Sequence, residues 1–277
     1  MSPELKRRIV SGLVMAAVVL AATWAGGLAF RILAAAISLL VYFEWSTITR
    51  LTERNFTGNL VAWVGIILLA ANIAFGDAEM SMPLFSGLAV TMALIVLVGG
   101  GTWWLPGGVI YAGLSGIALA AIREGGFSGL AAILFVFAVV WATDILAYFV
   151  GRALKGPKLA PRISPGKTWS GAIGGTISAI VAGLLLTLGL FGHVSAWAVA
   201  LALILSIASQ IGDLFESFIK RRFGVKDSSN LIPGHGGVMD RVDGLVFACF
   251  AVFLLTLAYG PLTGQAGVTV GNFLFGL

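Results

Sequence analysis

Charge is scarce in this chain. Asp, Glu, Lys and Arg make up 10% of its 277 residues, against about 25% in an average soluble domain. Hydrophobic residues make up 59%, and the mean hydropathy is +1.02. A water-soluble globular protein is thereby excluded, and so is a disordered one, which needs low hydrophobicity and high charge. Cysteine is limited to Cys249, so no internal disulfide can form. In its apolar run Cys249 reads as a small buried hydrophobe. Histidine is limited to His193 and His235. His193 falls in a short polar loop and reads as solvated. The 37 glycines show no fixed period, which argues against a fibrous protein. What remains is a chain that lives in a bilayer.

A bilayer crossing needs about 20 predominantly apolar residues. Nine such stretches are predicted, at about 9–26, 28–45, 60–76, 83–100, 106–122, 129–150, 171–191, 195–216 and 244–262. The predicted fold is an all-α integral membrane protein with about nine transmembrane helices. It forms a single polytopic domain over 1–277, with N-terminal helices over about 1–125 and catalytic helices and loops over about 129–262. The basic start resembles a signal peptide, but a second apolar stretch follows almost at once, so the first reads as a retained helix. Lys6, Arg7 and Arg8 place the N-terminus in the cytoplasm by the positive-inside rule. Arg50 and Arg54, and the basic loops after the sixth and eighth spans, then fall on that same face. Arg31 and Arg123 are single exceptions near helix ends. The eight Trp mostly lie near span ends, as Trp103 and Trp104 do, and read as interfacial anchors.

The few charges are unevenly placed. Residues 144–170 and 213–243 hold 16 of the 29 charged side chains. Ionisable groups at a membrane are costly and usually functional. The eighth span ends in a stripe where Asp213, Glu216, Ser217 and Lys220 share one helix face. Ser206, Ser209 and Gln210 extend that stripe deeper, and it should face a water-filled cavity. The alternative is a polar contact between helices. The loop Val225–Gly244 follows, with His235 among Pro233, Gly234, Gly236 and Gly237. Such glycine-rich backbone can approach phosphate oxygens closely. Asp240 and Asp243 flank Arg241 and offer hard oxygen ligands suited to Mg²⁺. The plainer reading is an ion-paired basic loop touching anionic lipid heads.

In the other window, Asp144 and Tyr148 stand one helical turn apart, ahead of Arg152, Lys155, Lys158, Arg162 and Lys167. Gly166-Lys167-Thr168 looks like the tail of a P-loop. Pro161 stands where the first glycine should be and no strand is predicted before it, so the segment reads as a phosphate-binding loop instead. Lys167, framed by Ser164, Pro165 and Thr168, is the stronger phosphate contact. Attraction to the membrane surface would suffice to explain Arg152, Lys155 and Lys158.

The stretch from Ser217-Phe-Ile-Lys220-Arg221 through Lys226-Asp227, Ser229, Ile232-Pro233 and His235-Gly236-Gly237 to Asp240-Arg241-Val242-Asp243 resembles the signature of the phosphatidate cytidylyltransferases, or CDP-diacylglycerol synthases. No position departs from it over 27 residues. The window from Asp144 through Tyr148, Gly151 and Arg152 to Ser164-Pro165 and Lys167-Thr168 resembles that family's other polar segment, more loosely. Elsewhere the resemblance extends only to span number and order. It implies transfer of CMP from CTP to phosphatidic acid, giving CDP-diacylglycerol and pyrophosphate for phospholipid biosynthesis. It implies Mg²⁺ on Asp213 and Asp240, with Asp243 as a third or supporting acid and a second cation open. Lys220, Arg221, Lys226 and Arg241 would hold phosphates, and Ser164 and Lys167 would reach the same site. Asp227 belongs to this catalytic set, and Ser217 to the substrate contacts. His235, Gly236 and Gly237 would lie along the triphosphate or the cytosine, without His235 acting as a base. Asp144 would shape or charge the cavity. The implied partners are CTP, phosphatidic acid and bilayer lipid, with no nucleic acid and a homodimer open. The implied location is a bacterial-type inner membrane, with the site facing the cytoplasm.

Three other classes compete. A transporter of an anionic solute also uses intramembrane acids and broken helices, but usually near the midplane between related halves. Here the charges sit at one predicted face and no repeat is visible. A polyprenol kinase or CDP-archaeol synthase would not account for the complete signature, and the motif of the CDP-alcohol phosphotransferases is absent. A structural scaffold leaves the clustered charges without a role.

Overall fold

The computed structural model describes residues 3–264 and 267–276, apart from the side chains of Pro3, Glu4 and Lys6. In lipid, every backbone N–H and C=O must be satisfied internally, so long apolar runs become helices. Among the described residues nine helices are long and apolar enough to cross a membrane. They are α1 (Pro3–Ala25), α2 (Gly27–Ile48), α4 (Phe56–Phe75), α5 (Ala78–Gly99), α6 (Trp104–Arg123), α7 (Gly126–Leu154), α8 (Trp169–Phe191), α9 (Ala196–Arg222) and α10 (Met239–Thr263). Two short helices, α3 (Leu51–Arg54) and α11 (Val270–Phe275), complete the helical set. The nine-span all-helical expectation is met span by span. The Gly166-Lys167-Thr168 segment is corrected. It is part of a two-stranded antiparallel hairpin, β1 (Lys158–Ala160) and β2 (Ser164–Thr168), in which Lys158 pairs with Thr168 and Ala160 with Ser164. No β-branched run announces this hairpin; Pro161 and Pro165 merely keep the segment out of a helix.

The helices divide into two compact units. The first holds the residues up to Ala120 together with Phe223–Arg241, and the second holds Ala121–Arg222 with the residues from Val242 onward. In the first unit, α2 is tied to α4 and α6 by buried polar contacts. Its Tyr42 donates to Asn59 Oδ1 at 2.9 Å, and its Ser38 donates to the Ala112 carbonyl at 2.9 Å. Trp45, 2% exposed, departs from the interfacial reading of the tryptophans. It stacks on Tyr111 and donates to the Trp104 carbonyl at 2.8 Å. Trp24 and Trp103 do lie exposed, as expected of anchors. Arg31 also has a structural task. Its guanidinium donates to the carbonyls of Ile73 at 2.6 Å, Asn72 at 3.3 Å and Gly76, all at the C-terminal end of α4, where carbonyls lack helical partners.

In the second unit, α7 and α8 meet along a seam of small residues. The buried positions of α8 are Gly171, Gly175, Ala179, Gly183 and Thr187, a small residue every fourth position that lets two membrane helices approach closely. A Cβ at Gly175 would stand 2.6 Å from the Thr143 carbonyl, and one at Gly171 would stand 2.6 Å from that of Ala147. Thr168 caps α8, its hydroxyl accepting from Gly171 N at 3.1 Å. Ser170 Oγ accepts from Gly156 N at 3.2 Å, tying the hairpin's entry to the same helix end. Cys249 is buried and unpaired, and His193 is exposed on its loop.

Candidate active site

Two of the seam helices open toward a cavity of about 710 Å³ in the second unit, lined from α7, the hairpin, the start of α8 and α9. Drug-sized ligand sites occupy roughly 300–1,000 Å³. Lys167 and Asp213 both line it and form an ion pair, with about a quarter to a third of each side chain exposed. Ser217 donates to Asp213 Oδ1 at 3.4 Å from one turn further along α9. Asp144 and Tyr148 line the α7 side, and Tyr148 OH accepts from Arg152 at 2.8 Å. Arg152, Lys155 and Lys158 also line the cavity. Membrane-surface attraction is therefore not needed to explain them.

The carboxylates of Asp144, Asp213 and Asp243 come from three helices and act on one another electrostatically, with Lys167 and Lys220 offsetting the repulsion. A third helix enters this cluster because Gly212 leaves room: a Cβ there would meet the Asp243 carbonyl at 2.5 Å. Glu216, read as part of a stripe facing a water-filled cavity, is instead 1% exposed and pairs with Lys220 at 2.5 Å. The stripe divides with depth. Gln210 lines the cavity and donates to Thr176 at 3.0 Å. Ser206 is fully buried between Thr143 at 2.9 Å and Thr176 at 3.2 Å, and Ser209 is fully buried as well. There α7 and α8 close over α9, so the deep end is a polar contact between helices. Arg221 reaches the hairpin, donating to the Ile163 carbonyl at 3.5 Å, and Ser164 opens β2.

The remaining sequence-derived residues lie in the first unit, on the loop between α9 and α10 and in the first turn of α10. Lys226 and Asp227 are exposed. Gly234 and Gly236 take φ of 77° and 85°, a left-handed backbone that favours glycine, and the Ile232–Gly236 bridge closes the turn. Asp240 Oδ2 accepts from Ser228 N, Ser228 Oγ and Gly237 N, each at 2.8 Å. Arg241 donates to the His235 carbonyl at 3.1 Å. His235 Nδ1 lies 2.8 Å from Ser11 Oγ on α1, a contact no local pattern announces. Glu44 of α2 also grips this loop and was missed entirely. Its sequence signal is a lone acid in an apolar helix.

The donor chemistry suits a hard divalent cation. Asp213 already holds a cationic ammonium, and Asp240 is oriented by three donors on one oxygen. Among the described residues no three His, Cys, Asp or Glu side chains converge on one point. An ion at either acid would therefore take most of its ligands from water and phosphate oxygens, which is how Mg²⁺ is usually held.

Nine helices among the described residues that are long and apolar enough to cross a membrane, with a ligand-sized cavity lined by acids and bases, define the class as a polytopic membrane protein. The comparisons narrow that class. The model of the Cytidylyltransferase family matches residues 6–259. The chain is 44% identical over 252 residues to the phosphatidate cytidylyltransferase of Brucella abortus biovar 1 (strain 9-941), covering 91% of this chain and 93% of the relative. It is 34% identical over 267 residues to the phosphatidate cytidylyltransferase of Bacillus subtilis (strain 168), covering 92% and 98%. It is also 34% identical over 305 residues to that of Haemophilus influenzae, covering 91% and 100%. The chain belongs to the cytidylyltransferase family.

Proposed function

We infer that the protein transfers CMP from CTP to phosphatidic acid, leaving CDP-diacylglycerol and pyrophosphate. The inference rests on the family, and the observation that carries it to particular residues is the cavity that brings Lys167, Asp213 and Asp144 together with Arg152, Lys155 and Lys158. The site works at the cytoplasmic side of a bacterial inner membrane. The clustering of basic loops on one predicted face supports that orientation. One substrate is anchored in lipid and the other is a soluble triphosphate, so a cavity near the membrane surface serves both.

A phosphate oxygen of phosphatidic acid attacks the α-phosphorus of CTP in line. The bond from that phosphorus to the oxygen bridging the α- and β-phosphates breaks, and pyrophosphate leaves with the electron pair. The attacking phosphate is already ionised near neutral pH, so no general base is required. Both reactants are anions, and positioning with charge neutralisation dominates. Lys167 and the other bases of the cavity hold phosphate oxygens from the hairpin and α7, and Ser164 adds a hydroxyl from the start of β2. Ser217 keeps Asp213 oriented, and Asp144 sets the charge of the cavity wall. Lys220, Arg221, Lys226 and Arg241 complete the phosphate contacts, with Asp227 beside Lys226 in the catalytic set and His235, Gly236 and Gly237 along the nucleotide. Asp213 and Asp240 would hold Mg²⁺, supported by Asp243, and a second cation could join them. When bound, Mg²⁺ offsets charge on the phosphates and the departing pyrophosphate.

The test is Asp213→Asn and Asp240→Asn in purified protein. Each is expected to lower turnover of CTP by about 100-fold or more while the protein still elutes as a folded species. Turnover near the parent rate in either variant contradicts that residue's assignment to the ion.

A further inference from the structure

Glu44 is the one acidic residue of α2, and it is fully buried. A charge buried at a membrane helix is stable only where donors surround it. Four donors face its two oxygens. Oε1 receives Ser229 Oγ at 2.7 Å and Val238 N at 2.8 Å. Oε2 receives Ser228 Oγ at 2.8 Å and Met239 N at 2.6 Å. All four lie in the Ser228–Met239 loop or at the start of α10, 184 to 195 residues further along the chain. The Ser228 hydroxyl stands 2.8 Å from both Glu44 Oε2 and Asp240 Oδ2, so one proton is shared between two carboxylates. The fit is close: a Cβ at Gly237 would overlap both Ser228 Oγ and Glu44 Oε1.

We propose that Glu44 is a positioning residue for cytidylyl transfer, fixing the Ser228–Met239 loop and, through Ser228, the Asp240 carboxylate. The proposal rests on the reading above that this loop contacts the nucleotide. Glu44 touches no reacting atom. It holds two backbone N–H groups at one end of the loop and two hydroxyls at the other, so the glycines between them keep one conformation before substrate arrives. This is preorganisation, in which a small displacement of a contact costs far more rate than binding.

The experiment uses full-length protein in detergent, with two readouts. Glu44→Gln preserves volume but turns an amide NH₂ toward either Val238 N or Met239 N. Loop order is read from maleimide labelling of Leu231→Cys, an exposed loop position, because the native Cys249 is buried. Turnover is read separately without the added cysteine, as kcat and as KM for each substrate. Glu44→Gln is expected to speed labelling several-fold and to lower kcat by about 10- to 100-fold, with KM for phosphatidic acid little changed. Glu44→Asp should recover part of both. Should Glu44→Gln fail to fold, Ser228→Ala with Ser229→Ala removes the hydroxyl donors alone and should move both readouts the same way, less far. Unchanged labelling in the folded variants overturns the grip of Glu44 on the loop. Faster labelling with parent turnover overturns the positioning role through the other premise, that the loop serves the reaction.

Discussion

Lys167 and Asp213 are the pair on which the proposed chemistry turns. Lys167→Met is expected to lower kcat by about 100-fold, the scale of losing one charge-stabilising group from a water-excluded site, with thermal stability close to the parent because both side chains are partly exposed. Steady-state kinetics beside a detergent melting curve checks both halves. Arg31 predicts the opposite pattern. Arg31→Met removes three bonds to carbonyls at the end of α4 and should cost about 1.5–3 kcal/mol, leaving kcat at the parent value. Asp213 was legible in the sequence because polar residues in apolar spans are rare enough to point at themselves, and Lys167 because it stands in one of the two windows that gather the charges. Glu44 was equally rare, but its partners are nearly 200 residues away and only folding supplies them. Arg31 was legible as an exception to the charge rule, and its reason is a set of backbone carbonyls that no side-chain pattern encodes.

The nine helices among the described residues that are long and apolar enough to cross a membrane could be read directly, because lipid removes every alternative for a 20-residue apolar run. Their polar ends were harder. α9 continues to Arg222 and α10 begins at Met239, because helix geometry outlasts the apolar stretch where Glu216–Lys220 pairing and terminal Lys and Arg support it. The hairpin β1–β2 was read as a loop, since Ser164-Pro165-Gly166-Lys167-Thr168 carries no strand propensity and its pairing is imposed by its anchors on α8. The four-residue spacing of small residues along α8 was open to inspection and specifies the α7–α8 seam. Gly175→Leu drives a side chain into the Thr143 carbonyl and should destabilise the protein by about 1–3 kcal/mol, with activity falling as the cavity wall from Thr143 to Ala147 shifts. Gly189→Ala, where nothing lies within 4 Å, should leave both unchanged. Melting curves of the two variants side by side check this, and equal melting would refute the seam.

For the whole molecule, composition alone pointed to a bilayer, and the uneven distribution of 29 charges marked the two windows to which the chemistry is assigned. It did not show that Phe223–Arg241 would pack with the N-terminal helices as one compact unit, since that grouping depends on Glu44 and Ser11 meeting distant partners. The orientation across the membrane has its own expected outcome. In intact cells, an impermeant maleimide should label Val194→Cys, and should label Leu231→Cys only after permeabilisation. The central claim is tested most directly by incubating purified protein with CTP labelled at the α-phosphorus and with phosphatidic acid, with and without Mg²⁺. The account predicts label in a lipid product and matching release of unlabelled pyrophosphate, both dependent on phosphatidic acid and abolished by chelation. Absence of lipid-linked CMP with the cation present would contradict it.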